Sequence, residues 1–286
     1  MFTFAVLHCN RLYYLKNCLQ SIIEFVGLDG INLLVIDNGS TEPGIHEYLS
    51  SLPGEVDVKQ FKDRSPHELH RAMNYAIKYS RKQNNKYVNF IQEDYQYLYS
   101  HDSLLKWVHE AFESNPKVVQ LQSNMGWRRK IKKMGKFSIV DVNGIKWQLL
   151  HKKPPCDNGF TRVDLYDKIG LYPKKISIHG REKGYTAGES WIKSKCRKYR
   201  RMMLAEPNMG MLMDCAYVRN NYRIGKYFPP PNKYYLKPFD EDKCQQVKNM
   251  ANNGEVCLIE DLIEPDGWTP DKLGQKHNTR KIKVKV

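Results

Sequence analysis

Three short polar clusters stand out, each directly behind a hydrophobic run: His8-Cys9-Asn10-Arg11, Asp37-Asn38-Gly39-Ser40 and Gln92-Glu93-Asp94. A carboxylate in such a cluster can accept hydrogen bonds, take a proton from a hydroxyl, or hold a hard divalent ion such as Mg2+ or Mn2+. Read locally, the same residues also suit turns and caps: Asp-Asn-Gly-Ser is turn chemistry and Asn is a helix-capping residue. The cysteines offer no competing chemistry. The seven (Cys9, Cys18, Cys156, Cys196, Cys215, Cys244 and Cys257) are odd in number and contain no Cys-x-x-Cys spacing. Neither a disulfide framework nor a zinc site is expected, and thiols of a reducing compartment are.

The elements around the clusters decide whether they can meet. Phe2 to Leu7 is a continuous apolar run of strand length. Leu12, Leu15, Leu19, Ile22, Ile23 and Val26 then recur at three- and four-residue steps, one face of a helix that Gly27 can end. Asn32 to Ile36 is a second buried strand, and Val56 to Phe61 alternates like a third. Ser65-Pro66-His67-Glu68 is a capping box with proline at the first helical position, and the helix behind it carries Leu69, Ala72, Met73, Ala76 and Ile77 on one face. Tyr87 to Ile91 is a fourth strand. Asp102 is placed to cap a helix running to about Glu113, and Val118 to Gln122 is a further strand. This order predicts an α/β domain with a largely parallel sheet. Ligands of such sheets bind beyond the carboxyl ends of the strands, and all three clusters fall there.

Several segments together resemble family 2 glycosyltransferases of the GT-A fold. Leu7-His8-Cys9-Asn10-Arg11 with Leu15 and Cys18-Leu19-Gln20-Ser21-Ile22 is similar to that family's opening T-Y-N-R segment. Val35-Ile36-Asp37-Asn38-Gly39-Ser40-Thr41 is similar to its V-V-D-N-G-S-T-D segment. Arg71-Ala72-Met73-Asn74 and Phe90-Ile91-Gln92-Glu93-Asp94 stand where the family has A-x-N and F-L-D-D-D. Asn158 to Arg162 with Ile169 to Pro173, and Gly188-Glu189-Ser190-Trp191 with Arg197 to Arg200, resemble the acceptor-side segments. The likeness covers roughly residues 2–215.

The resemblance implies a Rossmann-like, mostly parallel central sheet flanked by helices. It implies an enzyme that moves a hexosyl or deoxyhexosyl group from a nucleoside-diphosphate sugar to a hydroxyl of a glycan or glycoconjugate, inverting by single displacement. His8, Asn10, Arg11, Asp37, Asn38, Arg64, Asn74, Gln92 and Glu93 would line the nucleotide-sugar. Asp94 would hold a divalent cation, Mn2+ or Mg2+, and Glu189 would be the general base. The chain departs from the pattern at Gln92, where the first Asp of the DXD region would stand, at Ser190, and in lacking a histidine between Glu206 and Val218.

Charge is uneven. The net charge is +15, but residues 1–100 carry 10 Lys and Arg against 11 Asp and Glu, and the remaining chain carries 36 against 20. Basic runs such as Arg128 to Lys133 and Arg197 to Arg201 suit a phosphate-bearing acceptor, an anionic membrane surface or nucleic acid. No helix-turn-helix, zinc or RNA-recognition pattern accompanies them, so nucleic acid is the less favoured partner. No apolar stretch reaches the ~20 residues of a membrane span and no signal-like segment opens the chain. The expected location is cytoplasmic, with peripheral membrane contact left open. The prolines at 229–231 mark a break, giving an expected GT-A domain over 1–225 and a C-terminal extension over 226–286, facing acceptor or membrane. Two other readings stay open: a catalytically inactive GT-A-like binding protein, and a basic nucleic-acid-binding α/β protein.

Overall fold

A computed structural model describes residues 1–62, 68–93, 95–97, 103–122, 137–150, 159–173, 187–204, 210–212 and 240–252. The first half alternates strand and helix: β1 (Phe2–His8), α1 (Leu12–Phe25), β2 (Ile31–Asp37), α2 (Ile45–Ser50), β3 (Val56–Gln60), α3 (Glu68–Lys82) and β4 (Tyr87–Gln92). It continues with β5 (Tyr95–Tyr97), α4 (Leu104–Ser114), β6 (Val118–Gln122), β7 (Phe137–Val142), β8 (Ile145–Leu150) and β9 (Gly159–Arg162). Then come α5 (Leu165–Ile169), α6 (Ala187–Lys195), β10 (Arg200–Leu204), β11 (Gly210–Leu212) and α7 (Glu241–Asn252). Of the expected C-terminal extension only 240–252, which contains α7, falls among the described residues.

Nine strands form one sheet in the order β3-β2-β1-β4-β9-β6-β10-β8-β7. β3, β2, β1 and β4 are parallel neighbours, as are β6 and β10. Only β9 and β8 run against the rest of this sheet, each pairing antiparallel with both neighbours. This is the mostly parallel sheet flanked by helices that the sequence predicts. β5 and β11 pair antiparallel in a separate two-stranded sheet, which pattern reading does not anticipate.

Each face of the large sheet carries its own core. Phe2, Phe4 and Val6 of β1 point to the side of Leu15, Leu19 and Ile22 of α1 and Val108 and Phe112 of α4. Ala5 and Leu7 point to the side of Ala72, Met73, Ala76 and Ile77 of α3, Leu165 of α5 and Ile192 of α6. A strand buried on both faces must be apolar at every position, which is why β1 reads as a continuous run rather than an alternation. Helix α1 ends as Gly27 predicts: its φ is 78° and its N–H reaches the Ile22 carbonyl at 3.0 Å. The N-cap position of helix α4 is Ser103, whose side chain makes no cap hydrogen bond, and Asp102, the expected cap, lies outside the described residues.

A tight backbone approach occurs where β9 enters between β4 and β6. Gly159 has φ +104°, and a β-carbon there would stand 2.5 Å from the Leu121 carbonyl oxygen and 2.8 Å from Gln122 Cγ. Both the dihedral and the space exclude a side chain. Gly159→Ala is therefore expected to destabilise the protein by at least ~2 kcal/mol. Urea unfolding of the variant against the native chain measures this.

Candidate functional site

The three polar clusters become neighbours because β2, β1 and β4 are adjacent and in register. His8 pairs with Asp37 across β1 and β2, and Leu7 pairs with Gln92 across β1 and β4. Neighbouring strands lie ~4.8 Å apart, so residues 8–11, 37–42 and 92–93 share one short stretch of the sheet's carboxyl edge. Backbone bonds extend the register past the strands: Asn38 N–H reaches the His8 carbonyl at 2.9 Å, and Glu93 N–H reaches the Leu7 carbonyl at 3.3 Å.

The turn after β1 is unusual. Asn10 and Arg11 both adopt left-handed backbone, with φ 56° and 65°. Non-glycine residues there cost ~1–2 kcal/mol each, so other bonds must hold them. Those bonds come from the turn after β2. The Asn10 amide oxygen accepts the N–H groups of Thr41 at 2.8 Å and Glu42 at 3.1 Å, and the Asn10 N–H donates to Ser40 Oγ at 2.7 Å. The Glu42 carboxylate accepts the N–H groups of Arg11 and Leu12. It thus caps α1, a position where negative charge also meets the positive end of the helix dipole. Arg11, the N-cap residue itself, supplies no side-chain cap.

Asp37 is fully buried and organises its own turn. Its carboxylate accepts the Ser40 N–H at 3.2 and 3.3 Å and the Ser40 hydroxyl. A carboxylate offers about four acceptor sites, so capacity remains for a further donor. Because the Ser40 proton goes to Asp37, His8 Nε2, 3.4 Å from Ser40 Oγ, is the end of the ring that carries hydrogen. His8 is 1% exposed. Burial, and next the Arg11 guanidinium, lower its pKa from 6.5 to about 3, so the ring is neutral. Nδ1 of His8 and Oδ1 of Asn38 are buried acceptors with no hydrogen bond among the described residues.

Arg11 crosses from the first cluster to the third. Its Nη1 lies 2.9 Å from Glu93 Oε1, with the side chains 11% and 10% exposed. The guanidinium also lies over the Tyr14 ring, 4.7 Å from its centroid. Gln92 offers its carbonyl to the Cys18 thiol at 3.9 Å. Asn74 stands apart from the clusters: its amide donates to the Tyr172 carbonyl and accepts the Tyr172 N–H, each at 2.9 Å. Tyr172 stacks on His70 in the first turns of α3 and packs against Trp191 of α6, with centroids 5.2 Å apart in each pair. This brings the first half of α6, whose backbone carries Glu189, beside the N-terminal part of α3. Arg64 and Asp94 lie outside the described residues.

The expected metal ligand, Asp94, lies outside the described residues, so the acids on view at this edge are Asp37, Glu42 and Glu93. Glu93 is tied to Arg11, Asp37 is tied to Ser40, and no group of three or more His, Cys, Asp or Glu side chains forms a metal centre among the described residues. What the edge offers is a buried acceptor at Asp37, a neutral imidazole, and a guanidinium held by an acid. Sequence reading missed Glu42. Its signal is its place directly after Thr41, but its partner is a helix terminus 30 residues back.

The sequence profile of glycosyl transferase family 2 matches residues 3–163. No curated protein matches the chain. Among solved structures, the chain is similar to S. aureus TarS 1–349, with 16% identity, a TM-score of 0.47, and 71% of this chain and 57% of that chain covered. It is similar to the same segment in complex with UDP-GlcNAc, with 15% identity, a TM-score of 0.48, and 78% and 64% covered. It is also similar to the mannosyltransferase PcManGT from Pyrobaculum calidifontis in complex with GDP-Man and Mn2+, with 14% identity, a TM-score of 0.48, and 87% and 69% covered. The chain spans less than two thirds of those TarS chains.

Two outcomes are expected of this geometry. Glu42→Ala removes the cap of α1 and should cost ~1–2 kcal/mol, read as a lower thermal midpoint. For His8, the unfolded ring takes its proton near pH 6.5 and the folded ring only near 3. Between those values the unfolded state binds more protons, so acidification from 6.5 toward 3 destabilises the fold, by up to ~1.4 kcal/mol per pH unit. Stability measured against pH should show this slope in the native chain and a shallower one in His8→Gln.

Proposed function

The chain belongs to glycosyl transferase family 2, and on that premise we propose that it transfers a sugar from a nucleoside-diphosphate sugar to a hydroxyl of a glycan or glycoconjugate. The observation that carries this reading is the interlocked carboxyl edge, where a buried Asp37 with spare acceptor capacity sits beside the Arg11–Glu93 pair. In this reading Asp37 accepts an N–H of the donor's base. His8, Asn10, Asn38, Arg64, Gln92 and Glu93 surround the nucleotide-sugar, and Arg11 supplies positive charge near the diphosphate. Asn74 serves by fixing Tyr172, since its amide is occupied there.

The transfer itself is a single displacement with inversion. Glu189 takes the proton of the acceptor hydroxyl as its oxygen forms the new bond to the anomeric carbon. The bond from that carbon to the diphosphate oxygen breaks, and the nucleoside diphosphate leaves with the electron pair. Asp94 is the proposed carboxylate for a Mg2+ or Mn2+ ion, whose chemistry would be to neutralise charge on the departing diphosphate. The sugar moved is a hexosyl or deoxyhexosyl group, and the acceptor carries phosphate, in keeping with the basic C-terminal two thirds. Among the described residues no helix is long and apolar enough to cross a membrane.

The test is thermal stability of the native chain with UDP, GDP, dTDP and CMP, each with and without Mn2+. A ligand at 100 times its dissociation constant stabilises by ~2.7 kcal/mol, so one nucleoside diphosphate should raise the midpoint clearly. If none does, the reading fails. Glu189→Gln should keep that shift and lose transfer by roughly 10²–10⁴-fold. A shift in the native chain without any transfer would instead support a binding protein on a GT-A scaffold.

A further inference from the structure

The other end of the large sheet has a different character. β4 and β6 and β10 begin there, at Tyr87, Val118 and Arg200, and antiparallel β9 ends there at Arg162. The connections are tied together at this end. Arg200 N–H donates to the Lys117 carbonyl at 2.8 Å, and Val163 N–H donates to the Lys86 carbonyl at 2.9 Å. α3 finishes with Arg81 and Lys82 in its last turn, and α6 with Lys193 and Lys195.

The acids beside the starts of β4, β6 and β10 are already engaged, and the exposed acids Asp29 and Glu55 lie farther along this end, ahead of β2 and β3. Asp164 meets Lys168 at 2.8 Å, and Asp167 meets Arg81. Glu113 lies 3.9 Å from Arg162 and accepts the Tyr87 hydroxyl at 3.1 Å. Six exposed cations are left over: Lys82, Lys86, Lys117, Lys195, Arg197 and Lys198. None has a carboxylate partner among the described residues. Lys198 lies over the Tyr199 ring instead.

We propose that this end of the sheet is a docking surface for anionic phospholipid headgroups. The surplus charge is compact: β4, β9, β6 and β10 are consecutive in the sheet, so at ~4.8 Å per strand they span about 15 Å. The cations sit on turns and helix ends. Of the rings at this end, Tyr87 and Phe112 are not available to stack on bases, since they are buried and stack on one another at 4.7 Å, and Tyr199 is covered by Lys198. Met1, 66% exposed just ahead of β1, adds an apolar side chain at the same end. Such a surface matches a planar array of negative headgroups, with each basic residue near it strengthening binding about fivefold. This inference goes beyond the transferase reading and uses none of the residues placed around the nucleotide-sugar or given the general-base role. The carboxyl edge would stand about 20–25 Å above the lipid, the length of a seven-residue strand.

Co-sedimentation of the full chain with vesicles tests this. Binding is expected to phosphatidylcholine vesicles containing phosphatidylglycerol, weakening with salt, and not to phosphatidylcholine alone. K86Q/K117Q/R197Q/K198Q should bind the anionic vesicles roughly several hundredfold more weakly, at about fivefold per residue. K16Q/K59Q/K62Q/K146Q, which removes the same charge elsewhere, should lose far less. If the first variant fails to fold, K86Q/K117Q and R197Q/K198Q are each read separately, with about 25-fold expected. The proposal falls if anionic lipid gives no preference, if both fourfold variants weaken alike, or if duplex RNA or DNA binds while the vesicles do not.

Discussion

The chain leaves β1 through two consecutive left-handed residues, and the carboxyl edge depends on what holds them there. Asn10 and Arg11 take that conformation without being glycine, so the conformation has to be stabilised from outside the segment. The turn after β2 provides the bonds. Asn10 gathers the amides of Thr41 and Glu42, Ser40 receives the amide of Asn10, and Glu42 closes the start of α1. The two turns form one unit, with the side chains of Asn10, Ser40 and Glu42 each bonded to the other turn. Asp37 sits at its centre with no exposure, positioned by a hydroxyl and an amide three residues on.

Around that unit the charges are arranged to cancel. An arginine and a glutamate that are each about nine-tenths buried would be costly alone; together, at 2.9 Å, they link the ends of β1 and β4. The histidine beneath them is kept neutral by burial and by the same arginine. At the opposite end, around β4, β9, β6 and β10, the contrary rule holds, with the acids there paired and cations left over. Among the described residues, one sheet therefore has a compensated stretch at its carboxyl edge and an uncompensated stretch at the other end.

Much of this was legible from the order of residues. β1, β2, β4 and β6 announce themselves because strands covered on both faces must be apolar throughout. α1 and α3 do so through their helical period, and Gly27 marks its helix end correctly. What escaped reading is non-local or short. α2 has six residues, too few to show a period. β7 is largely exposed or half-buried, so its alternation is weak, and it forms a strand because β8 is there to pair with it. The insertion of β9 between β4 and β6 is a fact of topology, visible in the sequence only as Gly159. Within the site, the turn chemistry of Asp37 to Ser40 was readable. The Arg11–Glu93 pair, 82 positions apart, and the use of Asn74 to hold Tyr172, 98 apart, were not.

The cap on α1 bears on how the chain acquires its shape. A helix usually carries its own stop and start signals, so it can flicker into existence before its neighbours arrive. Here the start signal belongs to Glu42, beyond the following strand, and the backbone N–H groups of the left-handed residues that precede the helix bond to that same stretch. The first turn of α1 therefore gains its stabilisation only when β2 has docked on β1 and the chain has turned past Ser40. β1, α1, β2 and the turn after β2 become a single cooperative unit. Its order of assembly is dictated by loop closure over some thirty residues rather than by the helical tendency of the segment itself.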